Sequence, residues 1–163
     1  MKRCLLTLLL LAALPATAFA KEVVGWAEKA VLYPGKLEVR AKIDTGAETS
    51  SLNCECTNFF EKDGERWVRF SVTNYQGERI FLERKVHRIA TIKRHYGEVQ
   101  ERPVVMLGIC LGGVYRETEV NVVDRSGLKY PMLVGRQFLE DKFLVDSSEQ
   151  FINPPHCDVS VKP

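Results

Sequence analysis

The sequence predicts an all-β fold, a single closed β-barrel lobe with one short helix near its C-terminal end. Three observations carry this reading. Runs such as Leu37-Glu38-Val39-Arg40-Ala41-Lys42-Ile43 and Trp67-Val68-Arg69-Phe70-Ser71-Val72-Thr73 alternate in polarity, the period-2 signature of half-buried strands. Turn signals recur roughly every 8 to 12 residues, a spacing suited to closed or nearly closed β structures. The chain has 163 residues with no internal repeat or low-complexity tract, which gives room for one ordinary domain.

The elements follow in order. Val23 to Tyr33 is a mixed apolar segment stopped by the turn pair Pro34-Gly35. The alternating run from Leu37 ends at Asp44, and a short segment from Thr49 to Leu52 leads into two cysteines. Asp63-Gly64 is a hairpin signal. The Trp67 strand turns at Asn74-Tyr75-Gln76-Gly77 and returns as Ile80 to Val86. The polar stretch from Thr91 to Arg102 reads as a solvated surface connection. Val104 to Leu111 and Val114 to Val123 form strands around Gly112-Gly113, and Asp124-Arg125-Ser126-Gly127 turns the chain again. Tyr130 to Val134 is a buried strand ending at Gly135, Gln137 to Asp141 forms one or two helical turns, and Phe143 to Asp146 is the last strand.

Residues 1–20 read as a signal peptide. Lys2 and Arg3 precede an apolar run from Leu5 to Leu14, and Ala18-Phe19-Ala20 offers a small-residue cleavage site. The run is too short for a comfortable bilayer span, and no later stretch approaches about 18 uninterrupted apolar residues. A secreted or periplasmic protein is expected, with no integral membrane segment after cleavage; Cys4 would be lost with the leader. Setting Lys2 and Arg3 aside leaves 21 basic residues against 21 acidic ones, which makes no electrostatic case for nucleic acid or an anionic membrane.

Four cysteines then remain, Cys54, Cys56, Cys110 and Cys157, and an even count in an oxidising compartment points to disulfides. Pairing Cys54 with Cys56 across one residue would be strained. Two connectivities are left: 54–110 with 56–157, or 54–157 with 56–110. A metal site of Cys54, Cys56, His156 and Cys157 is the rival, but its C-x-C spacing is not the C-x₂-C of common zinc modules. No metal and no cofactor are expected.

The chemistry centres on Asp44-Thr45-Gly46-Ala47. A carboxylate at the end of a strand, before a glycine that tolerates a tight turn, can lie against backbone N–H donors and face a cleft. About ninety residues later come an apolar strand, a glycine and a short helix, Met132-Leu133-Val134-Gly135-Arg136-Gln137-Phe138-Leu139. A turn carboxylate capping its own backbone is the bland alternative for Asp44. Thr49, Ser50 and Ser51 lack a nearby histidine to activate them as nucleophiles.

With these segments the chain resembles the retropepsin-like aspartic peptidases, and more closely the bacterial family that has carried the label of ATP-dependent zinc protease. The resemblance rests on Val24-Gly25-Trp26, Ala41 through Ala47, Thr49 through Leu52, Arg102 through Val105, Asp124 through Gly127, Tyr130 through Arg136 and Phe143 through Asp146, in the family's order. No H-e-x-x-h helix motif and no Gly-rich phosphate loop support the zinc or ATP in that label. The chain departs from many relatives in having Asn53 where they carry a histidine.

The resemblance implies a retropepsin-like lobe over residues 21–150 with a tail at 151–163, and a catalytic role for Asp44. Aspartic proteolysis needs two carboxylates sharing a proton. Since this chain has one Asp-Thr-Gly, the second would come from a twin in a homodimer. In that reading Thr45 locks the two loops together, Gly46 offers its N–H to the carboxylate and Ala47 continues the supporting loop. Leu133, Val134 and Gly135 form the floor beneath Asp44, and the tip of the Asn74 or the Asp63-Gly64 hairpin covers a bound peptide. The expected activity is endopeptidase cleavage of a peptide or protein substrate. The alternative is a catalytically silent domain that grips a peptide or envelope protein in the same cleft.

Overall fold

The computed structural model describes residues 20–93 and 99–159. The expected leader lies outside these residues apart from Ala20, as does most of the basic stretch around Arg94 to Gly97. Among the described residues, eleven strands and one helical turn follow in order: β1 Glu22–Gly25, β2 Ala27–Tyr33, β3 Leu37–Ile43, β4 Ser50–Asn53, β5 Glu55–Lys62, β6 Glu65–Thr73, β7 Arg79–Lys93, β8 Val99–Leu111, β9 Val114–Val123, β10 Met132–Val134, α1 Arg136–Leu139 and β11 Phe143–Asp146.

Six strands close a barrel in the order β2-β3-β10-β4-β9-β8, with β8 pairing back onto β2. Alternation decides which side chains fill it. In β3, Leu37, Val39, Ala41 and Ile43 are buried while Arg40 and Lys42 are exposed. Val39, Leu52, Leu107, Ile109, Val120 and Met132 meet in the same core, and Phe138 of α1 packs against it. β7, β6 and β5 continue from β8 as an antiparallel arm. β1 and β11 form a separate parallel pair, with Val23 opposite Leu144.

Two expectations are corrected. The stretch from Thr91 to Arg102 is not a loose connection: β7 and β8 stay paired from Ala90↔Arg102 out to Lys93↔Val99. Backbone hydrogen bonds do not depend on side-chain polarity, so a ladder can run past the end of its apolar pattern. The cysteines also pair differently, since Cys110 is bonded to Cys157 and neither expected connectivity contains that bond. Cys54 is buried at the end of β4. With Cys157 in a disulfide, the four-residue metal set loses one of its thiolates.

The disulfide fixes a tail that crosses the start of the barrel. Trp26 N donates to Glu149 O, Phe151 N to Ala27 O, and His156 N to Gly112 O. Beneath it Glu28 is fully buried, and its carboxylate accepts from the backbone N–H groups of Gly25, Ile152 and Asn153. A buried carboxylate surrounded by donors holds three chain segments together.

Candidate active site

Asp44 follows directly on β3, and the strands beneath set its position. β10 runs parallel to β3 with Val134 beside Ile43, and Asp44 N donates to Val134 O at 2.9 Å. β10 also pairs antiparallel with β4, placing Leu133 between Lys42 and Ser51 on one face. Leu133 is half-buried there, whereas Val134 and Gly135 are buried.

The loop is held by several backbone contacts. Asp44 Oδ1 accepts the N–H groups of Gly46 at 2.9 Å and Ala47 at 3.2 Å. Arg136 N donates to Ala47 O and Gln137 N to Glu48 O, so the helix start clasps the far side of the turn. The Arg136 guanidinium donates to the carbonyls of Thr45 and Gly46 at 2.9 and 2.8 Å. At Gly135 a Cβ would lie 2.8 Å from Glu48 O, so a side chain there would collide with the loop backbone. Gly135 N instead reaches Ser50 Oγ at 3.1 Å. Thr45 and Gly46 are exposed at the surface of the turn.

The bland reading of Asp44 therefore describes half of its carboxylate. Oδ1 caps the turn, while Oδ2 lies 3.6 Å from Lys42 Nζ, with the Asp44 side chain 25% exposed. Arg125 stands nearby. Its guanidinium donates to Ser51 Oγ at 2.9 Å and its backbone N–H to Asn53 Oδ1 at 2.6 Å. Its Nε is buried without a hydrogen-bond partner. Burial, and secondly the charge of Arg102, pulls the Arg125 pKa below its usual range, while the negative charge of Asp44 acts in the opposite direction. Asp44 thus sits among cations.

Of the site residues expected from sequence, Asp44, Thr45, Gly46, Ala47, Leu133, Val134 and Gly135 are gathered at one end of the barrel. The Asn74 hairpin is not with them. Tyr75 OH bonds Glu38 Oε1, Asn74 Nδ2 bonds Glu38 O, and the Arg40 guanidinium lies over the Tyr75 ring. Arg40 is four strand residues from Asp44, roughly 13 Å. Lys42, Ser50 and Arg125 complete the site without being among the residues expected to form it, and Arg136 holds the loop carbonyls. The period-2 position of Lys42 relative to Asp44 was the available signal for one of them. Arg125 comes near only because β4 and β9 pair in parallel, Asn53 against Val123.

Residues 23–156 match the family model described as RimB-like, retropepsin-like aspartic endopeptidase RimB. Among curated proteins, the chain is 36% identical over 127 residues to a probable alpha-L-glutamate ligase of Shewanella halifaxensis, covering 76% of this chain and 28% of that protein. A protein of the same name from Desulfotalea psychrophila is 29% identical over 136 residues, covering 80% and 29%. The chain thus spans less than a third of the length of these relatives. Among solved structures, Legionella pneumophila Lpg0085, a protein of unknown function, aligns with a TM-score of 0.69 at 33% identity, over 82% of this chain and 98% of that one. The chain belongs to the RimB-like family of retropepsin-like aspartic endopeptidases.

Proposed function

We propose that this protein is an extracytoplasmic aspartic endopeptidase whose dyad consists of Asp44 from each of two copies. The observation that carries the reading is the division of labour in the Asp44 carboxylate, with Oδ1 held by Gly46 N and Ala47 N and Oδ2 outside the turn, 3.6 Å from Lys42 Nζ. In the dyad one carboxylate accepts a proton from water, and the resulting hydroxide attacks the peptide carbonyl. The other, protonated, donates to the carbonyl oxygen. The tetrahedral intermediate collapses as the C–N bond breaks and a proton passes to the departing nitrogen. The Cys110–Cys157 bond supports a location outside the reducing cytoplasm.

The substrate class follows from the flanking charges. Lys42 and Arg125 beside Asp44 favour a peptide with acidic side chains near the scissile bond, and relatives called glutamate ligases point to glutamate-rich chains. The silent binding domain is favoured by one feature: Lys42 supplies a counter-charge to Asp44 within a single copy.

The test uses the purified protein and Asp44→Asn on a glutamate-rich peptide and on a neutral one, from acid to neutral pH. Cleavage with a bell-shaped pH profile, abolished by Asp44→Asn, supports the peptidase. Equal activity in both proteins removes Asp44 from the mechanism. Binding without cleavage supports the silent domain. Arg125→Met raises KM for the acidic peptide about tenfold if the cationic flank reads charge, with the neutral peptide unaffected.

A further inference from the structure

Neither Glu28 nor the Cys110–Cys157 bond takes part in the chemistry, yet an unbroken series of contacts leads from them to Asp44. The tail from Glu149 to Cys157 lies across β1, β2 and the β8–β9 turn. Glu28 is fully buried, and its Oε1 accepts Ile152 N at 3.1 Å and Gly25 N at 2.8 Å, so tail and β1 share one carboxylate oxygen. A side chain on Gly25 would collide with Glu149 O, so the two segments touch. Trp26 is then gripped from both sides: its N–H donates to Glu149 O and its carbonyl accepts Ile43 N, each at 2.9 Å. Ile43 ends β3, immediately before Asp44. At its far end the tail is closed by the bond to Cys110 and by His156 N donating to Gly112 O.

We infer that the tail is a thiol-controlled strap that positions Asp44: closed by the disulfide it holds Trp26 against β3, and its reduction slackens the Asp44 strand end. The inference rests on the peptidase reading for what Asp44 does, and on the contacts above for the strap itself. Glu28 acts on Asp44 only through Gly25, Trp26 and Ile43, which makes it a positioning residue. Cys110 is 2% exposed whereas Cys157 is half-buried, so an incoming thiolate reaches Cys157. A dithiol reductant supplies the two electrons. One of its thiolates bonds to Cys157 Sγ, the Cys110–Cys157 bond breaks, and Cys110 leaves as a thiolate that takes a proton. The second thiol of the reductant displaces Cys157, which is protonated in turn, and the reductant departs as its own disulfide. The freed tail keeps only hydrogen bonds that water can replace, and opening such a segment is easier than opening the barrel.

The test is amide hydrogen exchange together with cleavage of the glutamate-rich peptide, for the oxidised protein, the protein reduced with dithiothreitol, and the Cys110→Ser, Cys157→Ser double variant. In the reduced and double-variant proteins the amides of Trp26, Ile43 and Phe151 should exchange at least about tenfold faster, while those along β8 and β9 stay protected. Turnover should fall about tenfold with KM within about twofold, and reoxidation of the wild type should restore both. A bond that serves stability alone lowers the unfolding midpoint but leaves the Ile43 amide and the turnover of the folded protein unchanged, and that result overturns the inference. Faster exchange with unaltered turnover overturns it as well. Should the reduced and double-variant proteins both unfold, Asn153→Ala carries the test with the disulfide intact, because it removes the side chain that ties the tail to Glu22 Oε2 and Val23 O. Faster exchange at Trp26 then supports the strap, and an unchanged amide overturns it. A protein that cleaves no peptide in either state removes the enzyme, and the Trp26 and Ile43 amides decide the strap without it.

Discussion

Asp44 and Asn74 are built from the same local chemistry and put to different uses. Each sits at a strand end ahead of a glycine turn, and each presents one oxygen to two backbone N–H groups. Asp44 Oδ1 takes those of Gly46 and Ala47, and Asn74 Oδ1 takes those of Gln76 and Glu78. They differ in what the rest of the side chain does. The Asn74 amide is spent as well, on Glu38 O and Glu78 Oε2, and the residue is 6% exposed. Asp44 keeps its second oxygen out of the turn, 3.6 Å from Lys42 Nζ. A turn that consumes its whole side chain is a fastener, and one that withholds an oxygen is able to do chemistry. Asp124 and Asp146 make similar local turns, to Ser126 and Ser148, with no glycine two residues on.

The sharpest way to break this comparison is to exchange the functional groups. Asp44→Asn keeps the turn acceptor and replaces the second carboxylate oxygen by an amide, so cleavage should fall by at least about 10³-fold while the unfolding midpoint stays near that of the wild type. Asp146→Asn should leave turnover within about twofold. Peptide cleavage assays alongside thermal melts check both. If Asp146→Asn proves as damaging as Asp44→Asn, the distinction between the turns fails.

Gly135→Ala tests the clasp. Its Cβ meets the backbone of Glu48 and Thr49, which cannot move without shifting the Asp44 loop. A loss of about 1–3 kcal/mol in denaturant unfolding is expected, together with lower turnover per folded molecule. Asn74→Ala should cost a similar or slightly smaller amount, about 1–3 kcal/mol, because several backbone groups lose their partner. Its turnover per folded molecule should be unchanged, and the contrast with Gly135→Ala separates the site from the fastener.

The smallest effect is a pH dependence at the fastener's dock. Glu38 has its pKa lowered, first by the Tyr75 hydroxyl and then by Lys29. A lowered folded value means that the stabilisation is complete above the ordinary glutamate value of about 4.3 and disappears as pH falls through the lower folded one. Tyr75→Phe should therefore flatten the acid side of the stability curve, measured as unfolding midpoint against pH, without moving the pH profile of cleavage.

Much of the fold was legible in the residues. The alternation of β3 and β6, the glycine turns and the apolar Val104 and Val114 runs mark their own strands, because pleat and burial are local consequences of sequence. The hairpin beyond Ala90 was misread because its pairing lies in the backbone, which no side-chain pattern reports. The disulfide was misread for a related reason. Excluding a Cys54–Cys56 bond on strain also excludes its companion pairing, although the bond between Cys110 and Cys157 depends on where the tail returns. That return is directed by Glu28 and by Gly112 O, groups far from Cys157 in the chain.

By itself, then, the sequence determined a β-rich chain with an Asp-Thr-Gly turn at a strand end and a second strand–glycine–helix segment matched to it. Only the tertiary structure decided that Val134 and Arg136 lie against that turn, that Lys42 and Arg125 flank its carboxylate, and that the Asn74 hairpin fastens elsewhere. The reason is physical. Turn geometry and strand alternation are set by neighbouring residues, whereas the environment of a charge is set by whichever distant strands the barrel brings beside it.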